Sequence, residues 1–102
     1  MQNSLLIWKD SRRIIVEKEK IIRTFLKELA YQDIRGFYYF YYMYIEIFEN
    51  IDKIETIQIY EDDIVRLHLI PESHYFPKRS IFIEEPKASN VKFVLEKFFS
   101  ND

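Results

Sequence analysis

The architecture turns on Gly36-Phe37-Tyr38-Tyr39-Phe40-Tyr41-Tyr42-Met43-Tyr44-Ile45-Glu46-Ile47-Phe48. Its density of Tyr, Phe and Ile favours a strand, although a continuous apolar run is also compatible with a helix. Read as a strand, it sets Tyr39, Tyr41, Met43, Ile45 and Ile47 on one face. Tyr38, Phe40, Tyr42, Tyr44, Glu46 and Phe48 then share the other. A sheet with one wet face would carry polar residues in this second set, yet it is mostly aromatic. That face must be covered by this chain, by a second copy or by a partner.

Upstream, Leu5 to Lys9 and Arg12 to Glu17 read as two short strands around the loop Asp10-Ser11. This register pairs Ile7 with Ile14 and Leu5 with Val16 on one face, and Trp8 with Arg13 and Leu6 with Ile15 on the other. Lys18 to about Gln32 reads as a helix, with Ile21, Ile22, Phe25, Leu26 and Leu29 forming one apolar stripe. Gly36 marks its exit into the aromatic strand.

Downstream, Glu49 to Lys53 turns the chain into a strand from Ile54 to Tyr60, with Ile57 and Ile59 inward. After Glu61-Asp62-Asp63, the strand Ile64 to Ile70 places Val65, Leu67 and Leu69 on one face and Arg66 and His68 on the other. Pro71 to Lys78 forms a loop, and Ser80 to Glu84 a last strand. Val91, Val94, Leu95 and Phe98 stripe a C-terminal helix, with Ser89 at its N-cap. Residues 4–33 and 64–102 can be laid together as two strand–strand–helix units. Arg12 to Glu17 then matches Arg79 to Glu84, and Phe25 and Leu26 match Val94 and Leu95. Such a duplication would leave a groove where the halves meet.

At 102 residues the chain fits one domain, and 48% apolar with 31% charged residues describes a folded protein rather than a disordered one. A net charge of −2 supplies no global positive field for nucleic acid or anionic lipid. Without cysteine there are no disulfides or thiolate metal sites. The longest apolar run, Phe37 to Ile45, falls well short of the ~20 residues of a membrane-spanning helix. The N-terminus has no charged region followed by a long apolar core, so an intracellular protein is expected.

One glycine, no cysteine and many Ile, Lys and Glu make an unusual mixture. It suits a hyperthermophile protein, in which ion pairs cost less to desolvate, and equally an AT-rich genome. In size, composition and its Tyr/Phe/Ile-rich tract, the chain resembles the small proteins of filamentous viruses that infect hot-acid archaea, the Acidianus filamentous viruses in particular. The resemblance implies a viral origin and the cytoplasm of an archaeal host. It transfers no functional residue.

No nucleophile motif, phosphate-binding glycine loop or paired-acid signature is present, so no enzyme is expected. Glu72 and His74 supply only two ligands at an undiagnostic spacing, and neither a metal nor a cofactor is expected. Exposed aromatics in the loop, Tyr75 and Phe76, can grip a partner. Interleaved aromatics also stack on bases, with Arg12, Arg13, Lys78 and Arg79 available to phosphates, but the acidic balance argues against nucleic acid.

These readings converge on an α+β fold, a largely antiparallel sheet of about six strands with two helices. The expected function is a non-enzymatic protein- or peptide-interaction module, using an aromatic groove or a sheet edge. Its partner-binding residues would be Tyr38, Phe40, Tyr42, Tyr44, Tyr75 and Phe76. The alternatives are a homo-oligomer, a dimer in the simplest case, formed through the same face, and a single-stranded nucleic-acid binder.

Overall fold

The computed structural model describes residues 2–100. Its elements are β1 (Ser4–Lys9), β2 (Arg12–Glu17), α1 (Lys18–Ala30), α2 (Ile34–Asn50), β3 (Ile54–Ile59), β4 (Val65–Leu69), β5 (Ser80–Ile83) and α3 (Lys87–Glu96). Short 3-10 turns follow α2 at Ile51–Lys53 and α3 at Lys97–Phe99. The class is α+β as expected, with five strands in place of six and three helices in place of two among the described residues.

Both differences have one source: the aromatic tract is a helix. The side chain of Asp33 accepts a hydrogen bond from the Gly36 N–H at 2.9 Å, which caps the helix start. Gly36 is therefore in the first turn of α2 and not at the exit from α1. Met43, Tyr44 and Ile47 are buried, and Phe40, Phe48 and Ile51 pack against them, all at three- and four-residue steps. The element spans 17 residues, against about 5–6 for an ordinary strand. Both edges of β3 are already occupied, by β1 and β4, so the centre of the sheet has no place for another strand.

The sheet order is β2-β1-β3-β4-β5. The hairpin β1–β2 has the expected register, Ile7 opposite Ile14 and Leu5 opposite Val16. Its turn works without glycine because Asp10 takes φ +54°, a conformation aspartate tolerates, and the Trp8 indole donates to the Asp10 carbonyl at 2.7 Å. β1 and β3 run parallel, and the other three pairings are antiparallel. A parallel pair needs a crossover, which here runs through β2, α1 and α2.

Leu5, Ile7, Val16, Ile57, Val65, Leu67 and Ile83 face one side of the sheet and are buried. Against them pack Ile21, Phe25 and Leu29 of α1 and Ala88, Val91, Val94 and Leu95 of α3, with α2 in contact with both helices. Ile22 is half-buried and Leu26 exposed, so the α1 stripe is narrower than expected. α3 starts at Lys87 behind Pro86, and Ser89 is inside its first turn with its hydroxyl on Glu85. The earlier start brings Ala88 into the core. Within the described residues, 4–33 and 64–100 both run strand–strand–helix, and β3 lies between their strands in the sheet. Lys18 is buried at the start of α1, where its ammonium donates to the Asp52 carbonyl at 3.2 Å and burial holds its pKa below the usual lysine value.

Candidate functional site

The first half of α2 stands largely clear of the core. Ile34, Tyr38, Tyr39 and Tyr42 are exposed, Phe37 and Tyr41 partly so, and between Arg35 and Glu46 the helix has no charged residue. Stacking within the helix (Phe37 on Tyr41, Tyr41 on Phe48) orders these rings without covering them. A run of exposed apolar side chains of this kind makes the outer side of α2 the candidate contact surface.

The expected contact residues separate according to helical phase. Tyr38 and Tyr42 are 67% and 57% exposed, one turn apart on the outer side. The ammonium of Lys87 sits 4.1 Å from the centre of the Tyr42 ring and is paired with Glu46 at 2.6 Å, which fixes the ring's inner edge. Phe40 is partly buried against the core. Tyr44 is 3% exposed and meets Phe25 edge-on at 4.9 Å, so it is a core residue and unavailable to a partner. Tyr75 and Phe76 are exposed in the 71–79 segment, away from α2 in sequence and element.

Burial and, second to it, the charge of Glu28 push the Tyr44 phenol up to about 12 from 10.0. A phenol that ionises later in the folded state stabilises fully below pH 10 and loses that contribution as pH rises towards 12. Tyr44→Phe should therefore remove part of the alkaline loss of stability seen between those limits, measured by denaturant melts at stepped pH. An unchanged alkaline limb would contradict the burial of this side chain.

Along the outer side of α2, Arg35, Tyr38, Tyr42, Ile45 and Glu49 recur at steps of three, four, three and four. Arg35 and Glu49 are exposed and, among the described residues, neither belongs to an ion pair. The stripe is a heptad seam with a cation at one end and an anion at the other, about 21 Å apart at 1.5 Å per residue.

The sheet face away from the helices is a second open surface. Its strand registers align Arg13, Trp8, Gln58, Arg66 and Phe82 in one row across all five strands. A second row runs Ile15, Leu6, Thr56, His68, Ser80. Arg13 lies 4.5 Å over the Trp8 ring and Arg66 5.1 Å over Phe82. Gln58 Oε1 accepts from the Tyr60 hydroxyl at 3.1 Å and faces His68 Nε2 at 3.0 Å. Burial and the neighbouring Arg66 charge lower the His68 pKa, which keeps the ring neutral at pH 7 with Nε2 as the donor. Of the other basic residues singled out from the sequence, Arg12 turns to the helix side, over Phe99 at 4.9 Å. Lys78 pairs with Glu55 at 3.3 Å and Arg79 with Glu72 at 2.5 Å.

Sequence reading found Trp8 beside Arg13 but missed the row. Its missing link was the parallel pairing of β1 with β3, a contact between strands far apart in sequence with no local signature. No helix among the described residues is long and apolar enough to cross a membrane. Neither protein-family models, nor curated proteins, nor solved structures give a match to this chain.

Proposed function

We propose that the protein is a non-enzymatic protein-interaction module that pairs with a second copy of itself through α2. The observation that carries this is the seam Arg35–Tyr38–Tyr42–Ile45–Glu49. Set antiparallel with Tyr42 at the crossing, two such helices bring Arg35 of each copy opposite Glu49 of the other. The middle of the seam is then aromatic and aliphatic against itself, as an isologous two-fold contact requires. A helix offers no edge for an added strand, so recognition here is of the helix-on-helix kind.

A fully covered aromatic ring buries 150–250 Å², so these partly exposed side chains supply roughly 500 Å² per copy. Twice that is near the lower limit for a specific interface, which suits exchange between monomer and dimer in the micromolar range. Light scattering from about 1 μM to about 1 mM should show a monomer becoming a dimer. Arg35→Glu should weaken the dimer, Glu49→Arg should do the same, and the double exchange should restore it. A monomer across the whole range, or no rescue in the double variant, contradicts the pairing.

A further inference from the structure

We infer that the open sheet face is a binding site for single-stranded nucleic acid, independent of the α2 surface. The row Arg13–Trp8–Gln58–Arg66–Phe82 holds two ring-and-guanidinium pairs, one at each side of the sheet. From β1 to β5 there are three strand steps of about 4.8 Å, so Trp8 and Phe82 stand roughly 14 Å apart. A sheet that stacks two or three bases on such platforms is an established way of reading a single strand, and arginine planes extend the stacking surface. Between the platforms, the Thr56 hydroxyl, the Gln58 amide N–H groups and the Ser80 hydroxyl, which accepts from Arg66 Nε at 2.9 Å, are polar groups suited to base edges.

Charge supports the same occupant. The chain has 17 acidic and 15 basic residues, yet the two rows together contain two arginines, a neutral histidine and no carboxylate. Glu55, close to the rows, is neutralised by Lys78 at 3.3 Å. A strip with two guanidinium groups, whose adjacent carboxylate Glu55 is paired with Lys78, is complementary to a polyanion on a net acidic protein. The rings decide which polyanion: an acidic peptide would use the guanidinium groups but has no flat partner for Trp8 and Phe82. Phe82 is 55% exposed and Ile15 76%, so the strip is accessible.

The single tryptophan makes the test direct. A thymidine 12-mer is titrated into the full chain at low salt, following both Trp8 fluorescence and the anisotropy of a label on the oligonucleotide. The expected result is quenching of Trp8 on binding, with log affinity falling against log salt at a slope of roughly −1.4 to −2 for two or three phosphate contacts. Phe82→Ala should weaken binding about 5- to 100-fold. Arg13→Gln and Arg66→Gln should each lower the salt slope by about 0.7. Circular dichroism shows whether each variant is folded, and Phe82, facing outward, is the substitution least able to disturb the core. Binding without Trp8 quenching, equal affinity for the matching duplex, equal affinity for poly-glutamate, or no binding at all would overturn the inference. Tyr38→Glu/Tyr42→Glu, on the opposite layer, should leave oligonucleotide affinity unchanged at protein concentrations below those at which the parent pairs.

Discussion

Tyr44→Ala is expected to destabilise the protein by about 3–5 kcal/mol, the range for deleting a buried aromatic ring. Tyr42→Ala, two positions earlier, should cost under ~1 kcal/mol, the scale of one exposed cation–π contact. The phenol ring of Tyr44 fills space between Phe25 at 4.9 Å and Phe48 at 6.5 Å, with Phe40 at 6.0 Å on its other side. Truncation would leave a cavity and remove three ring contacts at once. The ring of Tyr42 meets Lys87 and otherwise solvent. Total stability for a domain of this size is about 5–15 kcal/mol, so Tyr44→Ala removes roughly a fifth of it or more. The melting temperature should fall by roughly 12–40 °C, at 4–8 °C per kcal/mol. On a strand these two residues would share a face and respond alike. Equal losses in chemical melts would therefore contradict the helix, and unequal losses in the stated order support it.

What could be read from the sequence divides along the range of the interactions involved. The β1–β2 hairpin, with Trp8 on Arg13, is local, and its register followed from pairing apolar residues across a two-residue loop. β4 was similarly legible, because Val65, Leu67 and Leu69 alternate with Arg66 and His68. The aromatic tract was misread because residue type outweighed period. Tyr, Phe and Ile favour strands, but burial of the apolar face against α1 and α3 outweighs a preference of that size. Two signals favoured the helix: Asp33 three residues before Gly36, and the steps from Phe40 through Tyr44 and Ile47 to Ile51. The seam on α2 was hidden by the same error, since its three-four spacing has meaning only on a helix. The row across the open face depends on β1 meeting β3, which no stretch of sequence encodes alone.

The two open surfaces lie on opposite layers of the molecule, so one can act without obstructing the other. Pairing through α2 would turn the sheet faces of two copies away from each other. A dimer would then offer two copies of the strip Arg13–Trp8–Gln58–Arg66–Phe82 to one strand. Linked sites gain avidity whenever the strand is long enough to reach both. Oligonucleotide affinity should thus rise with length beyond one strip only under conditions in which the protein is paired.

Tyr38→Glu/Tyr42→Glu should abolish pairing while leaving the fold intact. Both side chains point outward from α2, at 67% and 57% exposure, so neither carboxylate enters the core. Glutamate is a better helix former than tyrosine, which offsets part of the repulsion it adds at four-residue spacing towards Glu46. In the antiparallel pair, by contrast, four new carboxylates would converge at the crossing. Each would have to lose water with no cation opposite it, a cost of several kcal/mol for like charges brought together. The dissociation constant should rise by more than about 100-fold, so the double variant should be a monomer at the micromolar concentrations where the parent pairs. Tyr75→Glu/Phe76→Glu makes the control, because it adds the same charge in the 71–79 segment, outside the seam. That variant should dimerise like the parent. If the loop variant becomes monomeric and the α2 variant does not, the contact belongs to the loop, and the seam on α2 is only its solvent face.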